Sequence, residues 1–184
     1  MKRSNLLNLL GIGLAGAGVY ALTHLTPSFS ESPSLEGNKE SYKTSDFKDD
    51  SDEVLLARML FGEARNCSKD EKIAIAFTAL NRNKDGKKWN GEGNIKDVLL
   101  CKWQYSCFNS NDPNRAKLMD PETYDRVSFE ACLDVARNVL NGNYKNPMDG
   151  ATHYHTKNVS PRWKNSPKMT FLGQMGKHIF YRED

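Results

Sequence analysis

The chain has 184 residues, which is enough for one ordinary globular domain with an appendage. Hydrophobic residues make up 38% of the sequence and aromatic residues 10%, so a packed core can form. The formal net charge of +3 falls to +1 once Lys2 and Arg3 are set aside. This small charge argues against a nucleic-acid partner, which usually needs a concentrated basic surface.

The N-terminal segment has a basic start followed by an uncharged apolar run over residues 6–25. One interpretation is a secretory signal peptide over residues 1–30, with Ser28 and Ser30 as the small residues before a cleavage point. The other is a membrane anchor, because 20 residues just suffice to span a bilayer. Both interpretations predict that the rest of the chain is exported. Residues 31–51 are rich in Ser, Pro, Lys and acidic residues, which predicts a flexible linker before a domain over residues 52–184.

The first half of that domain has helical patterns. Ser51 is a suitable N-cap for a helix over residues 52–66, and Ser68 with Glu71 forms a capping-box pattern that opens a second helix ending near Asn83. A short helix is predicted over residues 95–101, and a longer one that ends at Gly142. Beyond it, "ATHYHT" and "TFLGQMGKHIFYR" are typical of short strands. The predicted class is α+β, mainly α, with a small C-terminal β element.

Glu63 lies at a position of the first helix where an apolar residue is expected. It follows Leu56, Met59 and Leu60 at helical spacing, near the C-terminal end of the helix. Partial desolvation and the negative potential of a helix C-terminus both favour a neutral carboxylic acid. Such an acid can protonate the leaving oxygen of a glycosidic bond. The alternative is a structural ion pair, with Arg65 or with an arginine of another helix.

Four sequence blocks occur in a characteristic order: "LARMLFGEAR" with "KIAIAFTALNR", then "CKWQYSCF", "GATHYHTKNVSPRW" and "GKHIFYR". Together they resemble the SleB/CwlJ-type cell wall hydrolase family, and specifically the catalytic domain of spore cortex-lytic enzymes. The resemblance implies a lysozyme-like, mainly helical domain that acts on peptidoglycan, with Glu63 as general acid. One departure is clear: the family commonly has Glu-Ala-Arg-Gly-Glu, whereas this chain has Asn66 and Cys67 at the last two positions.

A single carboxylate favours one type of glycan cleavage. A hydrolysing glycosidase usually needs a second carboxylate, whereas in a lytic transglycosylase the sugar's own 6-hydroxyl attacks and one glutamate serves as acid and then as base. The resemblance also points to cleavage between N-acetylmuramic acid and N-acetylglucosamine. Two alternatives stay open. One is a zinc amidase using His153 and His155 with His178 or a cysteine, and the other is a non-catalytic peptidoglycan-binding domain. The leading hypothesis needs no metal and no cofactor.

The remaining blocks are predicted to form the sugar groove. Six substrate-binding residues are expected: Gln104, Tyr105, Ser106, His153, His155 and Trp163. On a strand, His153 and His155 share one face while Tyr154 takes the other. We assign Tyr154 and Phe180 to core packing.

The four cysteines, Cys67, Cys101, Cys107 and Cys132, allow three pairings, and the sequence alone selects none of them. Export would place them in an oxidising compartment, where disulfides persist. Because Cys101 and Cys107 enclose a short loop at the expected groove, we predict a bridge there and a second between Cys67 and Cys132. The alternative for Cys132 is a plain core position.

The expected setting is the periplasm or cell envelope, with peptidoglycan glycan strands as partner and a monomeric enzyme. The weakly apolar run over residues 6–25, in which Gly and Ala take seven of 20 positions, resembles the signal-anchor-release segment of some phage endolysins. Such a segment tethers an enzyme to the inner membrane until lysis. Spore germination and wall remodelling are the alternatives to lysis.

Overall fold

The computed structural model describes residues 41–89 and 93–184. The predicted signal peptide or anchor over residues 1–30 therefore lies outside the described residues, as does the first half of the predicted linker. Within the part that is described, no helix combines the length and the apolar content needed to cross a bilayer.

Helices dominate the first part of the domain, and the described residues contain five of them: α1 (Asp52–Ala64), α2 (Lys69–Lys84), α3 (Ile95–Leu100), α4 (Arg115–Met119) and α5 (Pro121–Leu140). The predicted caps form, because Ser51 Oγ accepts from the N–H of Val54 and Ser68 Oγ from that of Glu71. α5 begins with a proline and is kinked at Asp125.

A three-stranded antiparallel sheet follows the helices, with strands β1 (His153–Thr156), β2 (Met169–Met175) and β3 (His178–Glu183). The spatial order is β1-β3-β2, so β3 is the central strand. Tyr154 of β1 pairs with Phe180 of β3, and His153 pairs with Tyr181. The predicted class, mainly α with a small C-terminal β element, is confirmed.

α1 is the central helix of the core. Every residue from position 55 to position 61 is buried, so the helix is enclosed on all sides rather than along one stripe. Its main neighbours are α5 and α2. Because α1 is surrounded, any polar side chain on it must find partners inside the protein or open onto a cleft.

Arg58 of α1 ties the segment before the helix to the core. Its guanidinium donates to both carboxylate oxygens of Asp50 at 2.7 and 2.9 Å, to the carbonyl of Tyr42 at 2.6 Å, and to the carbonyl of Leu118. Phe47 is also buried, in a short 3₁₀ turn. Tyr42, Phe47 and Asp50, which lie within the predicted linker, therefore contact the domain.

Candidate active site

Glu63 lies in the last turn of α1, where the buried helix opens onto a cleft of about 250 Å³. Its side chain is partly exposed. One oxygen, Oε1, is 3.4 Å from the backbone N–H donor of Cys107 and 3.5 Å from Ser106 Oγ. The other, Oε2, accepts from the hydroxyl of Tyr154 at 3.3 Å. The predicted catalytic carboxylate is thus held by three donors while it faces solvent.

Gly62 makes this arrangement possible. A Cβ added to Gly62 would lie 2.6 Å from Cys107 Cβ and 2.9 Å from its Sγ, which is closer than atoms pack. The missing side chain lets the 3₁₀ turn Ser106–Phe108 approach α1, and that approach brings two donors to Glu63. Burial, together with the charge and hydrogen bond of Glu63, raises the pKa of the Cys107 thiol well above its usual value. Cys107 therefore stays a neutral thiol.

Tyr154 is a site residue that the sequence interpretation assigned to the core. Its ring packs against Phe180, but its hydroxyl reaches Glu63. Burial raises the pKa of Tyr154 well above its ordinary value, and the adjacent charge of Glu63 adds to the effect. The hydroxyl therefore remains a donor. The sequence did indicate that Tyr154 points away from the two neighbouring histidines. This alternation was the available signal that Tyr154 has a different role from theirs.

Glu71 and His178 form a buried pair beside the cleft. Glu71 Oε1 lies 2.7 Å from His178 Nδ1 and accepts from the backbone N–H of Lys177 at 2.6 Å. The predicted capping box is therefore only half formed, because the carboxylate turns away from its own helix end. Burial by itself would raise the pKa of Glu71, but the hydrogen bonds from His178 and Lys177 outweigh it and hold the pKa below its usual value. The ring of His178 packs edge-on against Tyr154, 5.4 Å between centroids.

Basic side chains dominate the rest of the cleft. Arg65, Lys117 and Lys177 line it, and Glu63 is the one carboxylate among the described residues that do so. Arg65 lies over the rings of Phe61 and Tyr124 at 5.1 and 4.8 Å from their centroids. The alternative in which Arg65 pairs with Glu63 therefore does not match the geometry, since the guanidinium is directed to the rings.

The three loop residues predicted to bind sugar lie in different surroundings. Ser106 reaches Glu63 through its hydroxyl. Tyr105 is 1% exposed, and its hydroxyl lies 3.2 Å from that of Thr78, so it is a core residue. The side-chain oxygen of Gln104 accepts from Arg82 at 3.1 Å. Of these three residues, only Ser106 is brought to Glu63.

His153, His155 and Trp163 form a separate aromatic cluster with Tyr181. The Trp163 ring lies 5.0 and 5.7 Å from the two histidine rings and 5.5 Å from that of Tyr181. None of the four lines the cleft of Glu63. Trp163 lies in the 3₁₀ helix Arg162–Asn165, and the structure brings none of the three predicted groove residues to this cleft. For His153 and His155 the reason is that side-chain alternation along β1 turns them away from the face that carries Tyr154. The same alternation separates them from His178, so the histidines of the amidase alternative do not converge.

No disulfide joins the four cysteines. The predicted bridge from Cys107 to Cys101 is absent, and the Cys107 thiol is buried against Gly62 and interacts with Glu63. The predicted bridge from Cys67 to Cys132 is absent as well. Cys67 interacts with Glu71 instead, while burial raises the pKa of Cys132 to about 12. Cys132 is fully buried on α5, which agrees with the alternative of a core position.

The sequence matches the family model described as Cell Wall Hydrolase over residues 66–181, which is more than half of the chain. The chain therefore belongs to the cell wall hydrolase family. The matched region begins three residues after Glu63 and contains Tyr154 and His178. No curated protein matches the chain.

Two solved structures are similar to this one. The catalytic domain of the germination-specific lytic transglycosylase SleB from Bacillus anthracis is 20% identical, with a TM-score of 0.50 over 71% of this chain and 93% of that one. The catalytic domain of the Bacillus cereus SleB protein is 18% identical, with a TM-score of 0.47 over 79% of this chain and all of that one. At 20% identity the likeness to the Bacillus anthracis domain concerns the fold alone.

Proposed function

We propose that this protein is a lytic transglycosylase that cleaves peptidoglycan between N-acetylmuramic acid and N-acetylglucosamine, with Glu63 as its single catalytic carboxylate. The observation that carries the proposal is that Glu63 is the only carboxylate among the described residues lining the cleft. A hydrolytic mechanism would need a second one to activate water or to attack the sugar. The fold shared with a lytic transglycosylase domain supports the same assignment.

The reaction proceeds in two proton transfers through one residue. Glu63 first donates its proton to the oxygen that links the two sugars, and the bond from that oxygen to the anomeric carbon of N-acetylmuramic acid breaks. The 6-hydroxyl of the same sugar then attacks the anomeric carbon, and its proton returns to Glu63. The product is a 1,6-anhydro sugar, and no water is consumed. The N–H of Cys107 and the hydroxyls of Ser106 and Tyr154 hold the carboxylate in its ionised intermediate state.

The products of digestion test this proposal directly. Purified sacculi are digested with the full-length protein, and the released muropeptides are analysed by mass spectrometry before and after borohydride reduction. We expect 1,6-anhydro ends, which borohydride does not reduce. Reducing muramic acid ends without anhydro products would contradict the transglycosylase and favour a hydrolase. Free stem peptides with intact glycan strands would favour the amidase alternative.

We also propose that residues 1–30, followed by a linker over residues 31–51, deliver the domain to the cell envelope. The support is the basic start, the apolar run over residues 6–25 and the polar stretch after that run. A cleaved signal peptide and a released anchor leave different N-termini on the mature protein. N-terminal sequencing of the exported protein therefore distinguishes the two. A start near Glu31 indicates a cleaved signal peptide, whereas an intact start at Met1 or Lys2 indicates an anchor that is later released.

A further inference from the structure

A second group of reactive side chains lies beside the cleft. Cys67, Glu71 and His178 each offer a potential metal-ligand atom, and these three atoms all lie within 4.8 Å of one another. Cys67 and Glu71 are four residues apart, on either side of the Ser68 N-cap of α2, and His178 begins β3. We propose that these three residues form a binding site for Zn²⁺.

The chemistry of the three side chains selects zinc over the harder cations. Thiolate, imidazole and carboxylate are the groups that bind zinc in proteins, whereas Ca²⁺ and Mg²⁺ prefer an all-oxygen set. The thiolate of Cys67 and the carboxylate of Glu71 together carry two negative charges, which balance the charge of the ion. Three protein ligands leave the fourth tetrahedral position to water.

The burial of the three side chains suits a metal ion that enters from the cleft. Glu71 is 2% and His178 3% exposed, whereas Cys67 is only partly buried. Cys67 and His178 both line the cleft, so the open position faces solvent there. Glu71 and His178 are already oriented, because their hydrogen bond and the N–H of Lys177 fix the carboxylate. An ion would thus meet two preorganised ligands and a third that is partly exposed.

The required rearrangement is small. Tetrahedral zinc with bonds of about 2.0–2.2 Å holds its nitrogen and oxygen ligands roughly 3.4 Å apart. Glu71 Oε1 and His178 Nδ1 are now 2.7 Å apart, so this pair must open by under about 1 Å while Cys67 moves inward. Gly176 leaves the space that the Glu71 carboxylate occupies, because a Cβ at this position would overlap it.

Cobalt spectroscopy tests the site independently of enzymatic activity. The full-length protein, reduced and freed of metal, is titrated with Co²⁺ and then with Zn²⁺. We expect a thiolate-to-cobalt charge-transfer band that saturates at one equivalent and disappears when Zn²⁺ is added. Cys67→Ser should abolish the band and weaken zinc binding at least tenfold. Cys101→Ser, which changes another partly exposed cysteine, should leave both unchanged.

Three results would overturn the zinc site. The first is a reduced protein that gives no charge-transfer band. The second is a band that persists in Cys67→Ser, since the thiolate would then come from another cysteine. The third is a disulfide between Cys67 and Cys132 in protein isolated without reductant. Circular dichroism of Cys67→Ser checks that the variant is folded, so that loss of the band reports on the lost ligand. Failure of the glycan-cleaving function would leave these binding results unaffected.

Discussion

Two charged side chains on α1, only five residues apart, have opposite environments. Arg58 is 1% exposed, and its hydrogen bonds to Tyr42 and Asp50 are 2.6–2.9 Å long. Glu63 is partly exposed, and its three donors lie at 3.3–3.5 Å. Arg58 therefore has all the partners that a buried charge needs, whereas Glu63 retains room for a substrate group and for a change of protonation.

This difference distinguishes a charge that stabilises the fold from a charge that is available for a reaction. A charge in the interior is tolerated only when it is paired and hydrogen-bonded, so the close partners of Arg58 follow from burial alone. Long hydrogen bonds to a carboxylate in an open cleft are common in enzymes without substrate and shorten when substrate binds. We expect substitutions at Arg58 to change stability and substitutions at Glu63 to change activity.

Replacing Glu63 should have the largest effect. Glu63→Gln keeps the size of the side chain but removes the acid, so we expect glycan cleavage to fall by about 10²–10⁴-fold, the usual contribution of a general acid. The rate is measured as clearance of a sacculus suspension. Glu130→Gln, at an exposed glutamate on α5, is the matched control and should stay within about twofold. Parental activity in Glu63→Gln would refute the catalytic assignment. If both the parental protein and the variant bound sacculi without cleaving them, the protein would be a binding module.

Replacing Arg58 should mainly reduce stability. Arg58→Gln leaves Asp50 without its cation, and breaking a buried pair in this way costs about 3–5 kcal/mol in the free energy of unfolding. Urea denaturation measures this free energy. The matched control is Arg126→Gln, because Arg126 pairs with Glu130 on the surface, where an ion pair contributes about 0–1 kcal/mol. Equal losses in the two variants would mean that residues 42–50 are not fixed to the core through Arg58.

The two faces of the sheet can be compared by replacing one tyrosine with phenylalanine on each face. Tyr154→Phe removes the donor to Glu63, and a hydrogen bond to a charged group contributes about 1.5–3 kcal/mol, so we expect kcat to fall by about tenfold or more. Tyr181→Phe removes a hydroxyl that lies 3.5 Å from His155 Nε2, on the face of the aromatic cluster. This control should keep kcat within about twofold. Equal effects of the two changes would contradict the division of the sheet into a catalytic and a structural face.

Trp163 should show the smallest effect on catalysis. Because its ring contacts three other rings of the aromatic cluster, Trp163→Ala should lower the free energy of unfolding by about 1–3 kcal/mol and leave kcat nearly unchanged. The measurements are urea denaturation and sacculus clearance at several substrate concentrations. A rise in KM with unchanged stability would instead support the role predicted from the sequence, in which Trp163 stacks on a sugar ring.

The sequence alone determined four of the five helices of the described residues, the class and the candidate acid. Helix caps and turns are local, so Ser51 and Ser68 marked the starts of α1 and α2 correctly. The position of Glu63 at the end of a buried helix also followed from spacing along the chain. The short helix α4 was missed, because five residues provide too few positions for a periodic pattern.

Only the tertiary structure decided which distant side chains surround Glu63. Cys107 and Tyr154 are 44 and 91 residues away from it in the chain, and Glu71 and His178 are 107 residues apart. The period of two along β1 showed that Tyr154 and its histidine neighbours lie on opposite faces, but it could not show which face meets the end of α1. That choice depends on how the sheet packs against the helices, a property of the whole fold rather than of any local stretch of sequence.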